Sequence, residues 1–123
     1  MIATKLKRVL IVDDVEDLRA LLRIALTMRD SFEVVGEAAD GIDAIAQAKA
    51  HQPDLVALDL SMPRLDGLEA LPRILEVAPG ARVVVVSGFD EARMGEAALR
   101  AGAVGYVEKG DIFAVVEALE LVG

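Results

Sequence analysis

Five side chains in this sequence stand directly after, or two residues beyond, short aliphatic runs. Asp13 and Asp14 follow residues 9–12, Asp59 follows 55–58, Ser87 follows 83–86, and Lys109 stands two residues beyond 104–107. Three carboxylates brought within a few ångströms repel one another, so one keeps a proton or a cation neutralises them. Oxygen ligands without His or Cys suit a hard divalent ion. Mg²⁺ or Mn²⁺ fits, and Mg²⁺ keeps several waters while taking one or two carboxylates. Lys109 adds an ammonium and Ser87 a hydroxyl. Such a set is built to receive a dianionic phosphoryl group, and a spare carboxylate can be the nucleophile that takes it. Singly, each residue has an ordinary structural explanation. An acid before a helix caps it, Asp59 ends a strand, Ser87 opens a Ser-Gly turn, and Lys109 is a solvated charge. The chemistry rests on all four strand ends being filled together.

Those positions meet only if the runs lie side by side. Unbroken aliphatic stretches at 9–12, 55–58 and 83–86, with a two-residue one at 34–35 and a Val-rich one at 104–107, read as strands of a parallel sheet buried on both faces. Helical stretches separate them. Leu18, Leu21, Leu22, Ala25, Leu26 and Met28 recur at helix spacing, with Arg19, Arg23 and Arg29 elsewhere on the wheel. Asp40 is a candidate N-cap for 41–50, with Asp43 at the third helical position. A helix over 67–77 holds Pro72 too deep for its first turn, which predicts a kink or a late start. Further helices are read at 91–101, ending at Gly102, and at 111–122.

Five strands alternating with five helices imply an α/β fold: a doubly wound, five-stranded parallel sheet of order 2-1-3-4-5 with right-handed crossovers. Ligands in such sheets bind outside the carboxyl ends of the strands, where the order reverses. Here that is between the first and third strands, the ones that lead into Asp13-Asp14 and Asp59. The second strand, away from that point, ends in Ala38-Ala39.

The chain's 123 residues suit one domain, with 54% apolar residues for a core but only 3% aromatic. Thirteen basic against 21 acidic residues give a net charge of −8, the wrong sign for DNA, RNA or an anionic membrane. Without Cys there is no disulfide framework, thiolate catalysis or cysteine metal site. No leader opens the sequence and no apolar run nears ~18 residues, so a cytoplasmic protein is expected.

The segments Val9-Leu10-Ile11-Val12-Asp13-Asp14, Asp59-Leu60-Ser61-Met62-Pro63-Arg64-Leu65-Asp66-Gly67, Ser87-Gly88 and Gly105-Tyr106-Val107-Glu108-Lys109 resemble the receiver domain of bacterial two-component response regulators. The likeness runs from residue 9 to about 121. It implies that Asp59 accepts phosphate from a histidine kinase or phosphotransfer protein. Asp14, Asp59 and the backbone carbonyl of Ser61 would hold Mg²⁺, with Asp13 acting through water or behind them. Ser87 would donate to a phosphoryl oxygen, Lys109 would pair with Asp59 and then with the phosphate, and Tyr106 resembles the switch residue that turns inward. The switched face would be the last two helices and the fifth strand, open to an output partner or a second copy. Residues 111–122, apolar nearly all round, are expected to be covered on more than one side. A receiver of this kind promotes its own phosphorylation and dephosphorylation and is not a turnover enzyme.

The chain departs from the pattern at Gly110, where these domains usually carry Pro after the lysine with a cis bond. Without Pro a cis bond costs about 3 kcal/mol, which favours a trans peptide. Ser87 replaces the commoner Thr and keeps the hydroxyl. Ser61 and Phe89 sit where access of water and phosphodonor is set. Three rival readings differ in testable ways. Haloacid-dehalogenase-like phosphatases also form an aspartyl phosphate, but their nucleophile follows the first strand in an Asp-x-Asp segment, whereas this chain reads Asp13-Asp14-Val15. A pseudo-receiver would bind partners without phosphorylation. A flavodoxin relative would need a phosphate loop after the first strand. His51 is expected at the surface, and the residues cover one receiver domain without an output domain, whether stand-alone or part of a longer chain.

Overall fold

The structure, a computed structural model, describes residues 5–60, 62, 65–88 and 91–123. Strands and helices alternate along it as β1 Lys7–Val12, α1 Glu16–Thr27, β2 Phe32–Ala38, α2 Gly41–His51, β3 Leu55–Asp59, α3 Gly67–Val77, β4 Arg82–Ser87, α4 Glu91–Ala101, β5 Gly105–Glu108 and α5 Ile112–Val122. The strands form one parallel sheet in the order β2-β1-β3-β4-β5, the doubly wound arrangement read from the sequence.

Side chains alternate across the sheet with the two-residue period of a strand. Val9 and Ile11 of β1 enter one layer with Leu22 and Leu26 of α1 and Val115, Val116 and Leu119 of α5. Leu10 and Val12 enter the other with Ala44 and Ala48 of α2, Leu71 and Ile74 of α3, and Ala98 of α4. With both faces covered, the inner strands need apolar residues at successive positions, which is why β1, β3 and β4 show unbroken runs. The edge strands β2 and β5 are mostly half-buried. That is how β2 extends to Phe32–Ala38, past Glu33, Gly36 and Glu37, beyond the short 34–35 run. Its pairing slips once: Val9 lies opposite Val34, but Leu10 lies opposite Gly36, so β2 absorbs an extra residue.

Acids set the starts of α2, α3 and α5. Asp40 accepts the Asp43 N–H at 2.8 Å, Asp66 accepts that of Glu69 at 2.9 Å, and Asp111 accepts that of Phe113 at 3.0 Å. Asp66 fixes the first turn of α3, so this helix starts at Gly67 and not late, despite Pro72 within it. Pro72 is on the exposed side, where water can meet a carbonyl left without its ladder bond. The wheel of α1 is also turned from its expected setting. Leu22 and Leu26 are buried, while Leu21 and Met28 are exposed, because the buried stripe leans toward Arg19. Of α5, Val115, Val116 and Leu119 are buried, but Phe113 is 65% and Leu121 87% exposed; within this chain only part of the helix is covered. His51 is half-buried beside Gly36 of β2, not fully exposed. No helix among the described residues is long and apolar enough to cross a membrane.

Register places the functional rim. Val12 pairs with Leu58, Asp59 with Val86, and Ser87 with Glu108, so β1, β3, β4 and β5 finish nearly level. The chain after β3 turns back tightly: the Gly67 N–H donates to the Leu60 carbonyl at 2.9 Å. A Cβ on Gly67 would overlap the Asp59 carbonyl oxygen and lie 2.7 Å from Leu60 Cα. Backbone cannot rotate aside as a side chain can. Gly67→Ala is therefore expected to lower unfolding free energy by about 1–3 kcal/mol in urea titrations; wild-type stability would show that this turn can open at little cost.

Candidate functional site

Beyond β1 the chain enters an acid turn. The Asp13 N–H donates to the Ala38 carbonyl at 3.0 Å, and Asp13 Oδ1 accepts the Val15 N–H at 2.9 Å. The N-cap of α1 is Val15, which makes no side-chain cap bond, so neither acid occupies the capping position. The Asp13 side chain instead closes a local turn and leaves Asp14 exposed at the rim. Across the rim, Asp59 ends β3 with 1% of its surface accessible. Carboxylate oxygens of Asp13, Asp14 and Asp59 all lie within 4.8 Å of one another.

Lys109 reaches them from the turn after β5. Its Nζ lies 3.0 Å from Asp59 Oδ2 and 3.4 Å from Asp13 Oδ2. Burial pulls the ammonium's pKa down, but the hydrogen bond to Asp59 and the charges of Asp59 and Asp13 outweigh it and leave the pKa raised. Its backbone N–H donates to the Ser87 carbonyl at 2.7 Å, tying this turn to the end of β4. Lys109–Gly110 is trans, since no described peptide is cis, and Gly110 takes φ +126°. Proline cannot adopt that angle, so the chain delivers its lysine by a left-handed glycine that Asp111 follows as the cap of α5.

Three carboxylates against one ammonium leave a charge of −2, the charge that one divalent cation cancels. With oxygen donors only, the donor set fits Mg²⁺ or Mn²⁺. Ser87 is wholly buried at the end of β4, beside β3 and its Asp59. Tyr106 is half-buried in β5 and packs against the layer shared by α2, α3 and α4. Ser61 and Phe89 lie outside the described residues.

Sequence reasoning passed over two features. The first is Gly41, read only as the start of a helix. Its N–H donates to the Leu65 carbonyl at 3.1 Å, and a Cβ there would overlap that oxygen. Thus α2 begins pressed against the segment that follows Asp59; glycine in a helix's first turn, where most residues propagate better, was the available signal. The second is Arg19, whose guanidinium donates to the Asp13 carbonyl at 2.6 Å.

A family model described as response regulator receiver domain matches residues 9–120. The chain is 44% identical over 117 residues to protein-glutamate methylesterase/protein-glutamine glutaminase 5 of Myxococcus xanthus, covering 94% of this chain but 34% of that protein. It thus spans about a third of that relative. Against chemotaxis protein CheY of Thermotoga maritima it is 38% identical over 103 residues, covering 84% of this chain and 85% of the relative. Among solved structures, the CheX-CheY-BeF3-Mg+2 complex from Borrelia burgdorferi superposes with a TM-score of 0.86 at 31% identity, over 94% of this chain and 88% of that one.

The raised pKa of Lys109 fixes a pH window. A lysine whose folded pKa lies above its unfolded value contributes stability that is full below the unfolded value and lost above it. The gap in unfolding free energy between wild type and Lys109→Met should be flat from neutrality to about pH 10 and shrink only beyond. Urea titrations at stepped pH measure it; a gap that changes near neutrality would assign the effect to another group.

Proposed function

The chain belongs to the response regulator receiver domain family, and on that premise we propose that it accepts a phosphoryl group onto Asp59 in a divalent-cation-dependent reaction. The observation carrying this reading is a carboxylate with 1% of its surface accessible, 3.0 Å from an ammonium and within 4.8 Å of two more carboxylates. In the proposed step, Asp59 Oδ attacks the phosphorus of a phosphohistidine on a histidine kinase or phosphotransfer protein. A P–O bond forms to the carboxylate, and the P–N bond breaks with its electron pair staying on the imidazole. Lys109 meets the arriving anion with fixed positive charge, and Ser87 supplies the donor hydroxyl from the neighbouring strand end. Asp14, Asp59 and the Ser61 carbonyl would hold the Mg²⁺, with Asp13 behind them, and bound there it would neutralise charge shared by the carboxylates and the phosphoryl oxygens.

Return to the free carboxylate is hydrolysis at the same phosphorus, so the chain promotes its own modification and its reversal without turning over a substrate. The phosphoryl dianion biases a two-state equilibrium read at α4, β5 and α5, with Tyr106 as the switch side chain and Phe113 on the exposed side of α5. An output partner or a second copy docks there, in the cytoplasm, without nucleic acid or membrane bound by this domain.

Incubation with acetyl phosphate and Mg²⁺ should add one phosphoryl group by mass. Asp59→Asn should remain unmodified, and EDTA should block the reaction. Modification of Asp59→Asn at the wild-type rate would refute the assignment. Asp14→Ala should raise the Mg²⁺ concentration giving half-maximal rate by about tenfold or more; an unchanged requirement would remove Asp14 from the ligands.

A further inference from the structure

We propose that Glu37 and Arg19 are a positioning pair that holds the acid turn after β1 in its metal-binding shape. The inference rests on the functional reading above and concerns residues outside its reacting set. Arg19 Nη1 donates to the Asp13 carbonyl at 2.6 Å, while its Nε faces Glu37 Oε1 at 3.3 Å. Arg23, one turn further along α1, holds the other Glu37 oxygen at 2.6 Å. The Arg19 side chain is only 17% exposed and Glu37 25%, so this is not a loose surface pair.

The geometry explains why Arg19 is needed. Asp13 and Asp14 are consecutive, and the peptide between them carries the carbonyl that Arg19 holds. Asp13 N is fixed by the Ala38 carbonyl, and its side chain by the Val15 N–H. With those two points pinned, the carbonyl hydrogen bond from Arg19 sets the plane of the peptide leading into Asp14. Arginine's fork can hold Asp13 and Glu37 at once; a lysine offers one ammonium and no rigid fork. Glu37 reaches α1 because of the irregularity in β2. Phe32 and Val34 face the α1 and α5 layer, and past the slip Glu37 faces it too, while Ala38 faces the opposite layer.

Electrostatics and positioning predict opposite signs. Removing a cation beside three carboxylates would by charge alone tighten a divalent ion. Loss of positioning would weaken it. We therefore expect Arg19→Gln to weaken Mg²⁺ binding by about tenfold in calorimetric titration, with Arg19→Lys intermediate. In the metal-free protein, amide hydrogen exchange at Val15 should speed. Glu37→Gln should give a smaller loss, and the Arg19→Gln/Glu37→Gln double variant should be no worse than Arg19→Gln alone, since both act on one carbonyl. Circular dichroism and urea midpoints verify that each variant is folded; should Arg19→Gln not fold, Arg19→Lys and Glu37→Gln carry the test. Unchanged or tighter Mg²⁺ binding in Arg19→Gln or, if it does not fold, in both other variants overturns the inference while wild-type binding stands. Additive losses in the double variant overturn the relay through Glu37. Wild-type protein that binds no Mg²⁺ would overturn the functional reading itself.

Discussion

Three carboxylates at one rim, one of them sealed from water, are an unfavourable arrangement that the rest of the fold must tolerate. Asp59 is almost fully buried, and an uncompensated charge in such a place is costly. Lys109 offsets part of that cost, and the two remaining negative charges make the site receptive to cations. The fold supplies the means of tolerance. Backbone bonds hold Asp13 and Asp59 from behind, and two apolar layers anchor the strands that end there, so relaxation by simple separation is denied. A site under this much internal repulsion is poised to change when its charge changes.

The parallel sheet makes that possible by geometry. Strands running the same way present all their carboxyl ends on one side, so residues dozens of positions apart reach a common rim without long loops. Glycine sets the close approaches. Gly67 lets the chain fold back against Asp59, Gly41 lets α2 press on the returning segment, and Gly110 turns the chain directly after Lys109. Each stands where a Cβ or a negative φ would force the local backbone to move.

Much of this arrangement was legible from residue types. Unbroken aliphatic runs marked β1, β3 and β4, because a strand covered on both faces has no polar position to betray its period. Their terminal acids, hydroxyl and lysine then located the rim. Less legible were features that depend on three-dimensional rotation. The stripe of α1 is turned because Arg19, placed off the apolar face by its type, buries its stem and turns its head onto a backbone carbonyl. The relevance of β2 was missed because attention fell on the Ala38-Ala39 that closes it, and Glu37 stands one place earlier. Pro72 predicted a kink or a late start, and the Asp66 cap prevents the late start. Gly110 removed the expected proline, but only the backbone angle shows how the lysine reaches the acids without it.

The slip in β2 makes the count of residues in that strand matter. Seven residues of β2 run beside six of β1, and the odd one out exchanges the inward and outward sides of everything downstream. Paired residue for residue without the slip, the same seven would keep a bonded edge, yet turn Glu37 toward α2 and leave Arg19 without its carboxylate. Register in an edge strand, usually the part of a sheet most forgiving of change, is here tied to where a charge points.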